Sequence, residues 1–459
     1  MLLIKTSVAY TIANFGSKGL NLLLTFFVIR FFEPNLFAEI DLLLSYVLYG
    51  ALIMGFSIDA SVSRLIHDSD TQKKKYVSNG FIFLHFIFIV LAISLLFFIQ
   101  GNTLLSKYFI PFLILVYSYS LSNYISSLLR NLFRFKQFIY FLIIPSLLNL
   151  LTVISLYYLN IFSVKFYLNS IVFASLIGII LGLWFLKNEF VFNLNLKILK
   201  EILLYSFPIF LSAVLLQFIP VFQKYYIGLI SISILAIYAF ATKFMIIFQT
   251  LSQSIYSIII PYSFKNFKNS NFKNNLESIF NISLLVFTSL LFLLVISLDL
   301  FIGVFFNDVY QESVRYMIIL SIPIFLEICY LFISISFSLE KKPKYYLYND
   351  IVYFIVFLIG LYFFADNSLT SVIIPAVLAS FLKLLSTILF QMKKGNFLLN
   401  KISITSILLF LIYATTSFYF YKNIDEIIIK IYSTLFILTH LFINRHYLIY
   451  FKSYIFNRR

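Results

Sequence analysis

The chain has 459 residues, of which 62% are hydrophobic and only 11% charged, with 58 Phe, 33 Tyr and a mean hydropathy of +0.99. Ordinary soluble domains carry roughly 25% charged residues, so composition excludes a soluble enzyme and a nucleic-acid-binding domain despite a formal net charge of +16. The single cysteine, Cys329, excludes an internal disulfide and a cysteine metal cluster.

Apolar runs of about twenty residues, each able to cross a ~30 Å hydrocarbon core, recur along the whole chain. They predict an all-α polytopic membrane protein with fourteen spans: 6–32, 36–62, 76–99, 104–129, 137–160, 163–186, 201–222, 232–260, 276–306, 313–339, 345–365, 369–391, 401–421 and 425–445. The first run is too long for a cleaved signal and has no small-residue cleavage site, so it reads as a retained span. The connecting segments alternate in basic content. Of the 34 Lys and Arg, 24 fall on one side and seven on the other, Lys224 among the seven, with Lys18, Lys243 and Lys383 inside helices. Lys/Arg excess marks the cytoplasmic face, so both termini are expected there. The basic excess reports topology, not a ligand, and no nucleic-acid partner is expected.

In the first run, Ser7, Thr11, Asn14, Lys18, Asn21 and Thr25 follow at steps of four or three and share one helix face. Lys18 stands mid-span, where a lysine costs about 2.5–3.5 kcal/mol on insertion scales. That face is expected to look into a wet cavity, with Lys18 as a point charge for an anionic head group and Asn14 and Asn21 as hydrogen-bonding neighbours. Snorkelling of Lys18 is the alternative. Asp59 and Arg64 close the second run as a candidate gate pair or a plain interfacial pair. In the fourth run, Tyr119, Asn123, Ser127 and Arg130 align on one face, the serines more as helix–helix glue than as ligand contacts.

In the eighth run, Lys243, Gln249 and Gln253 offer a second group of cavity residues, and Lys383 in the twelfth a third cation. Glu327 lies mid-span in the tenth run, where a carboxyl can exchange a proton during transport or hold a static ion pair with a buried lysine. The four histidines show no metal spacing. No Gly-rich phosphate loop, Ser/His/Asp set or paired acids in a loop are present. No enzyme, metal or cofactor is implied.

A polar interval near 187–201 separates two groups of six runs, and two runs remain. The expected domains are a six-helix lobe at 1–190, a second at 200–395, both around a central cavity, and two further helices with a cytoplasmic tail at 400–459. Phe37-Ala38 and Leu235-Ala236 mark equivalent outer turns of the two groups. The short outer segments leave no room for the extramembrane domain of a glycan polymerase or ligase.

Several segments carry a family likeness: Leu204-Tyr-Ser-Phe-Pro208-Ile, Gln223-Lys-Tyr-Tyr-Ile-Gly228, Ala236-Ile-Tyr238 and Ile260-Pro261-Tyr262. Phe32-Glu-Pro-Asn-Leu-Phe-Ala38, Gly55-Phe-Ser-Ile-Asp59-Ala-Ser-Val-Ser-Arg64 and Glu340-Lys-Lys-Pro343 extend it in the expected order. The chain resembles the oligosaccharide-lipid flippases of the Wzx type, within the multidrug/oligosaccharidyl-lipid/polysaccharide exporter superfamily. The resemblance implies two lobes, alternating access and an undecaprenyl-diphosphate-linked oligosaccharide, such as an O-antigen or capsule unit, as cargo in a bacterial inner membrane. A proton or sodium gradient is the expected drive, and membrane lipid the other partner. The rivals are a multidrug cation exporter and a lipid II flippase of the same superfamily, with a membrane-embedded polymerase or ligase further off.

Overall fold

The computed structural model describes residues 2–68, 72–98, 103–191, 193–266, 272–339, 344–364, 368–393, 401–423 and 426–445. Lipid offers backbone N–H and C=O groups no partner, so a chain this apolar must satisfy them within helices. Helices are what forms, and no strand occurs among the described residues.

The chain divides into two compact units, Met1–Tyr225 and Tyr226–Arg459. The first holds α1 (Leu2–Phe31), α2 (Pro34–Gly55), α3 (Ile58–Asp68), α4 (Lys73–Phe98), α5 (Thr103–Lys107), α6 (Phe109–Asn131), α7 (Phe135–Tyr158), α8 (Val164–Leu186) and most of α9 (Leu196–Ile230). The second holds α10 (Ile232–Asn266), α11 (Phe272–Phe305), α12 (Ser313–Leu339), α13 (Lys344–Phe364), α14 (Thr370–Lys393), α15 (Lys401–Asn423) and α16 (Glu426–Ile443). Among the described residues, eleven helices are long and apolar enough to cross a membrane, with shorter apolar stretches at Ser403–Tyr419 and Tyr432–Leu441. The all-α, multi-pass reading therefore stands.

Two departures from the apolar runs bear on the site. The run 36–62 is not one helix. Pro34 starts α2 at a position where its missing N–H costs nothing, and Phe56 and Ser57, both left-handed at φ 47° and 51°, separate it from α3. Two consecutive non-glycine residues in that region store on the order of 1–3 kcal/mol each. The second departure is α9, which continues beyond the run 201–222 with Pro208 and Pro220 inside it. Lys224, which the charge pattern places in a connecting segment, lies within this helix.

In the first unit, polar pairs between helices replace hydrophobic contacts that lipid would not favour. Ser17 on α1 meets Ser146 on α7 at 2.8 Å, Ser63 on α3 meets Ser127 on α6 at 2.7 Å, and Ser170 on α8 donates to Asn149 on α7 at 3.1 Å. Ser127 therefore serves as glue, as its residue type suggests. The buried Phe37 and Ala38 sit at the start of α2. Phe86, Ile89, Ile93 and Leu96 leave one exposed apolar face along α4.

In the second unit, α15 and α16 pack against α11 and α12. Phe410 stacks on Phe325 of α12 at 3.9 Å, and Ser403 donates to Asn281 of α11 at 2.9 Å. His440 of α16 lies 3.4 Å from Thr288 of α11.

Glycine allows the closest approach at Gly182 of α8, where a Cβ would stand 2.6 Å from Ile125 and 2.7 Å from Phe141. Gly182→Ala is expected to destabilise the first unit by about 1–3 kcal/mol, read as a lower melting temperature in detergent. Gly16→Ala, with open space around the same position, should change stability by no more than about 0.5 kcal/mol.

Candidate functional site

Helix α1 packs on the first unit through Ser17, Leu24, Val28 and Ile29, all buried. The adjacent face therefore turns outward, and Lys18 and Asn21 on it are exposed. The side chain of Asn14 lies outside the described residues. Asn21 lines a cavity of about 230 Å³ together with Ser17, Tyr119, Asn123, Ser146 and Asn149. A second cavity, of about 340 Å³, shares Asn123 and is lined by Gly55, Ser57, Asp59, Ser120 and Gln217. Asp59 is half-buried there, whereas Arg64 is exposed on α3. A third, apolar cavity of about 510 Å³ lies between Phe56, Phe83 and the first half of α9, with Lys200 at its edge.

Helix α9 is fixed to the rest of the first unit near both of its ends by polar ties. Toward its end, Lys224 Nζ lies 2.6 Å from Asp41 Oδ2 on α2 and donates to Ser45 Oγ at 2.9 Å. At its start, Asn195 Oδ1 accepts from the backbone N–H of Lys197 at 3.0 Å. Tyr76 of α4 donates to Glu201 at 2.7 Å, and Asn79 accepts from Asn195 N–H at 2.8 Å. Between these ties, Phe56 stacks on Phe210 of α9 at 4.2 Å.

The second unit contains a buried charge cluster. Lys383 on α14 is 2% exposed. Its Nζ lies 3.0 Å from Asp350 on α13 and 3.3 Å from Glu327 on α12. It also sits 4.1 Å from the Tyr330 ring and 5.4 Å from that of Tyr353. The carboxylates differ: Asp350 is 5% exposed and Glu327 44%. Both sequence candidates, Lys383 and Glu327, are thus brought together, with Asp350 as a third member that the residue patterns had not singled out. Lys243 on α10 is half-buried and Gln249 exposed, and the side chain of Gln253 lies outside the described residues. Asp41, like Asp350, interrupts an apolar run, and that interruption is the signal that could have found both.

A family model described as "Polysaccharide biosynthesis protein" matches residues 3–267, more than half of the chain. The chain belongs to this polysaccharide biosynthesis protein family. No curated protein matches it in sequence. Among solved structures, the lipid II flippase MurJ in an inward closed conformation aligns with a TM-score of 0.71 at 18% identity, over 96% of this chain and all of the other. A multidrug resistance MATE transporter of the MOP superfamily in an inward-facing conformation aligns at 0.64 and 13%, over 84% and 94%. The MATE transporter ClbM in complex with Rb+ aligns at 0.59 and 15%, over 83% and 93%. This member of the polysaccharide biosynthesis protein family therefore has the fold of membrane transporters.

Removing one partner of a buried ion pair leaves an uncompensated charge and costs about 3–5 kcal/mol. Lys383→Met strands the buried Asp350 carboxylate and is expected to fall in that range, measured by thermal unfolding in detergent. Asp350→Asn should cost less, because Glu327 still faces the ammonium.

Proposed function

We propose that the protein is a flippase. It moves an undecaprenyl-diphosphate-linked oligosaccharide, an O-antigen, capsule or similar surface unit, across a bacterial inner membrane by alternating access. Both termini face the cytoplasm in this reading, and the predicted six-helix lobes alternate the access of the cargo. The observation that carries it is the exposed Lys18, with Asn21 beside it, on the face of α1 that the first unit leaves uncovered, in a chain of the polysaccharide biosynthesis protein family. An ammonium group at a membrane-spanning helix lowers the electrostatic cost of bringing a diphosphate to that depth. The prenyl tail remains in lipid.

The Lys383 cluster supports coupling to an ion gradient. One ammonium faces two carboxyl groups, and of the two Glu327 is the one open to its surroundings. Proton uptake by Glu327 leaves Lys383 and Asp350 as a neutral pair. Lys243 and Gln249 are assigned to cargo contacts in this reading, and Asp59 with Arg64 to an inner gate.

In a flippase-deficient strain, wild type should restore surface glycan, Lys18→Ala should reach the membrane but fail, and Lys18→Arg should retain function. If Lys18→Ala works as well as wild type, the cationic site is wrong. Glu327→Gln should leave expression intact and make transport in vesicles insensitive to an imposed proton gradient. A gradient response equal to wild type would remove Glu327 from coupling.

A further inference from the structure

The break between α2 and α3 leaves more than a kink. Phe56 and Ser57 hold left-handed backbone conformations without being glycine, and such strain persists where the surrounding structure uses it. The second cavity opens beside this break. Its polar lining comes from three directions: Ser57 and Asp59 at the break, Ser120 and Asn123 on α6, and Gln217 on α9. Ser120 is the telling residue. It is 2% exposed, and its hydroxyl has no hydrogen-bond partner among the described residues. Most helix serines in this chain, such as Ser45 and Ser78, donate to the carbonyl a turn earlier. A buried hydroxyl left unmatched costs about 1–3 kcal/mol, and a ligand hydroxyl entering the cavity would remove that cost.

The lining selects a chemical class. A prenyl or acyl chain would leave the Ser120 hydroxyl unmatched and offer Ser57, Asn123 and Gln217 nothing to bond. A diphosphate would meet the carboxylate of Asp59. A metal ion would find only one carboxylate, which stands in the first turn of α3, where the free N–H groups of the helix already complement its charge. A neutral sugar fits each group. Its hydroxyls donate to Asp59 and exchange bonds with Ser57, Ser120 and the amides, and its C–H face lies on Leu48, Leu52 and Leu84. The volume of about 340 Å³ falls within the range of small-ligand cavities, and the adjoining cavity at Asn21 extends it toward α1.

The geometry points to a subsite for an uncharged sugar ring at the α2–α3 break, with Ser120, Asn123 and Gln217 as its hydrogen-bonding residues. It rests on the flippase reading and assigns the glycan and diphosphate ends of the cargo to different groups.

The test compares two kinds of probe bound to the full chain in nanodiscs, by native mass spectrometry. One is undecaprenyl diphosphate. The others are the same lipid carrying a single hexose or N-acetylhexosamine. Wild type should bind at least one sugar-bearing lipid about tenfold more tightly than the sugarless one. Gln217→Leu should lose about fivefold of that preference. Gly55→Ala, whose Cβ would rest 3.4 Å from the Ser120 hydroxyl in ordinary contact, should lose a similar share while still folding. Neither change should affect the sugarless lipid, and Lys18→Ala should weaken all the lipids alike. Equal binding of sugar-bearing and sugarless lipids by wild type overturns the subsite and leaves the flippase reading standing. So does an equal loss for all the lipids in the two cavity variants. If wild type binds none of the lipids, the flippase reading fails and the subsite falls with it.

Discussion

A charge inside a bundle of apolar helices must meet an opposite charge or reach water, because desolvating an ion costs several kcal/mol even after the protein relaxes. This constraint sorts the lysines of the chain. Lys224 is held against Asp41 and Ser45, and Lys383 against Asp350 and Glu327, each reaching across from one helix to another. Lys18 lies on a helix face that is exposed. The buried pairs fix where helices sit. Its position on that face, rather than between two helices, sets Lys18 apart from Lys224 and Lys383.

The pairing of Lys224 with Asp41 does more than neutralise two charges. Together with the polar ties of Tyr76 and Asn79 near its start, it anchors α9 at both ends. Along α9 the apolar cavity of about 510 Å³ follows its first turns, from Leu196 to Phe207, and the cavity of about 340 Å³ lies beside Ala213 and Gln217, between the two ties. Pro208 and Pro220 within α9 remove backbone hydrogen bonds along the same stretch.

Helix existence was legible in the sequence because spanning a membrane demands long apolar runs, and among the described residues these runs are helical, 36–62 and 104–129 each as two helices. The polar stripe of α1 was legible for a related reason: steps of three and four residues fix a face whatever the tertiary structure. The break at Phe56–Ser57 was not, since neither residue signals a left-handed backbone and only the packing around it selects that conformation. Lys224 was misplaced because the apolar run ends just before it, while the helix continues through its pairing with an acid far away in sequence. Lys383 and Glu327 could be named separately, yet their meeting at 3.3 Å, 56 residues apart, is a tertiary fact.

The distribution of acids bears on the choice among transporters that share this fold. A cavity for cationic drugs needs carboxylates whose charge is not already met by protein. The two most buried acids resolved in the helices, Asp41 and Asp350, both face lysine ammonium groups. Asp59 stands at a helix start, where backbone N–H groups offset it. What remains open on α1 is cationic and amide-bearing, and what lines the α2–α3 break is rich in hydroxyls and amides. In the proposed reading, an anionic head group with a hydroxylated, uncharged extension would follow that order of groups along the first unit.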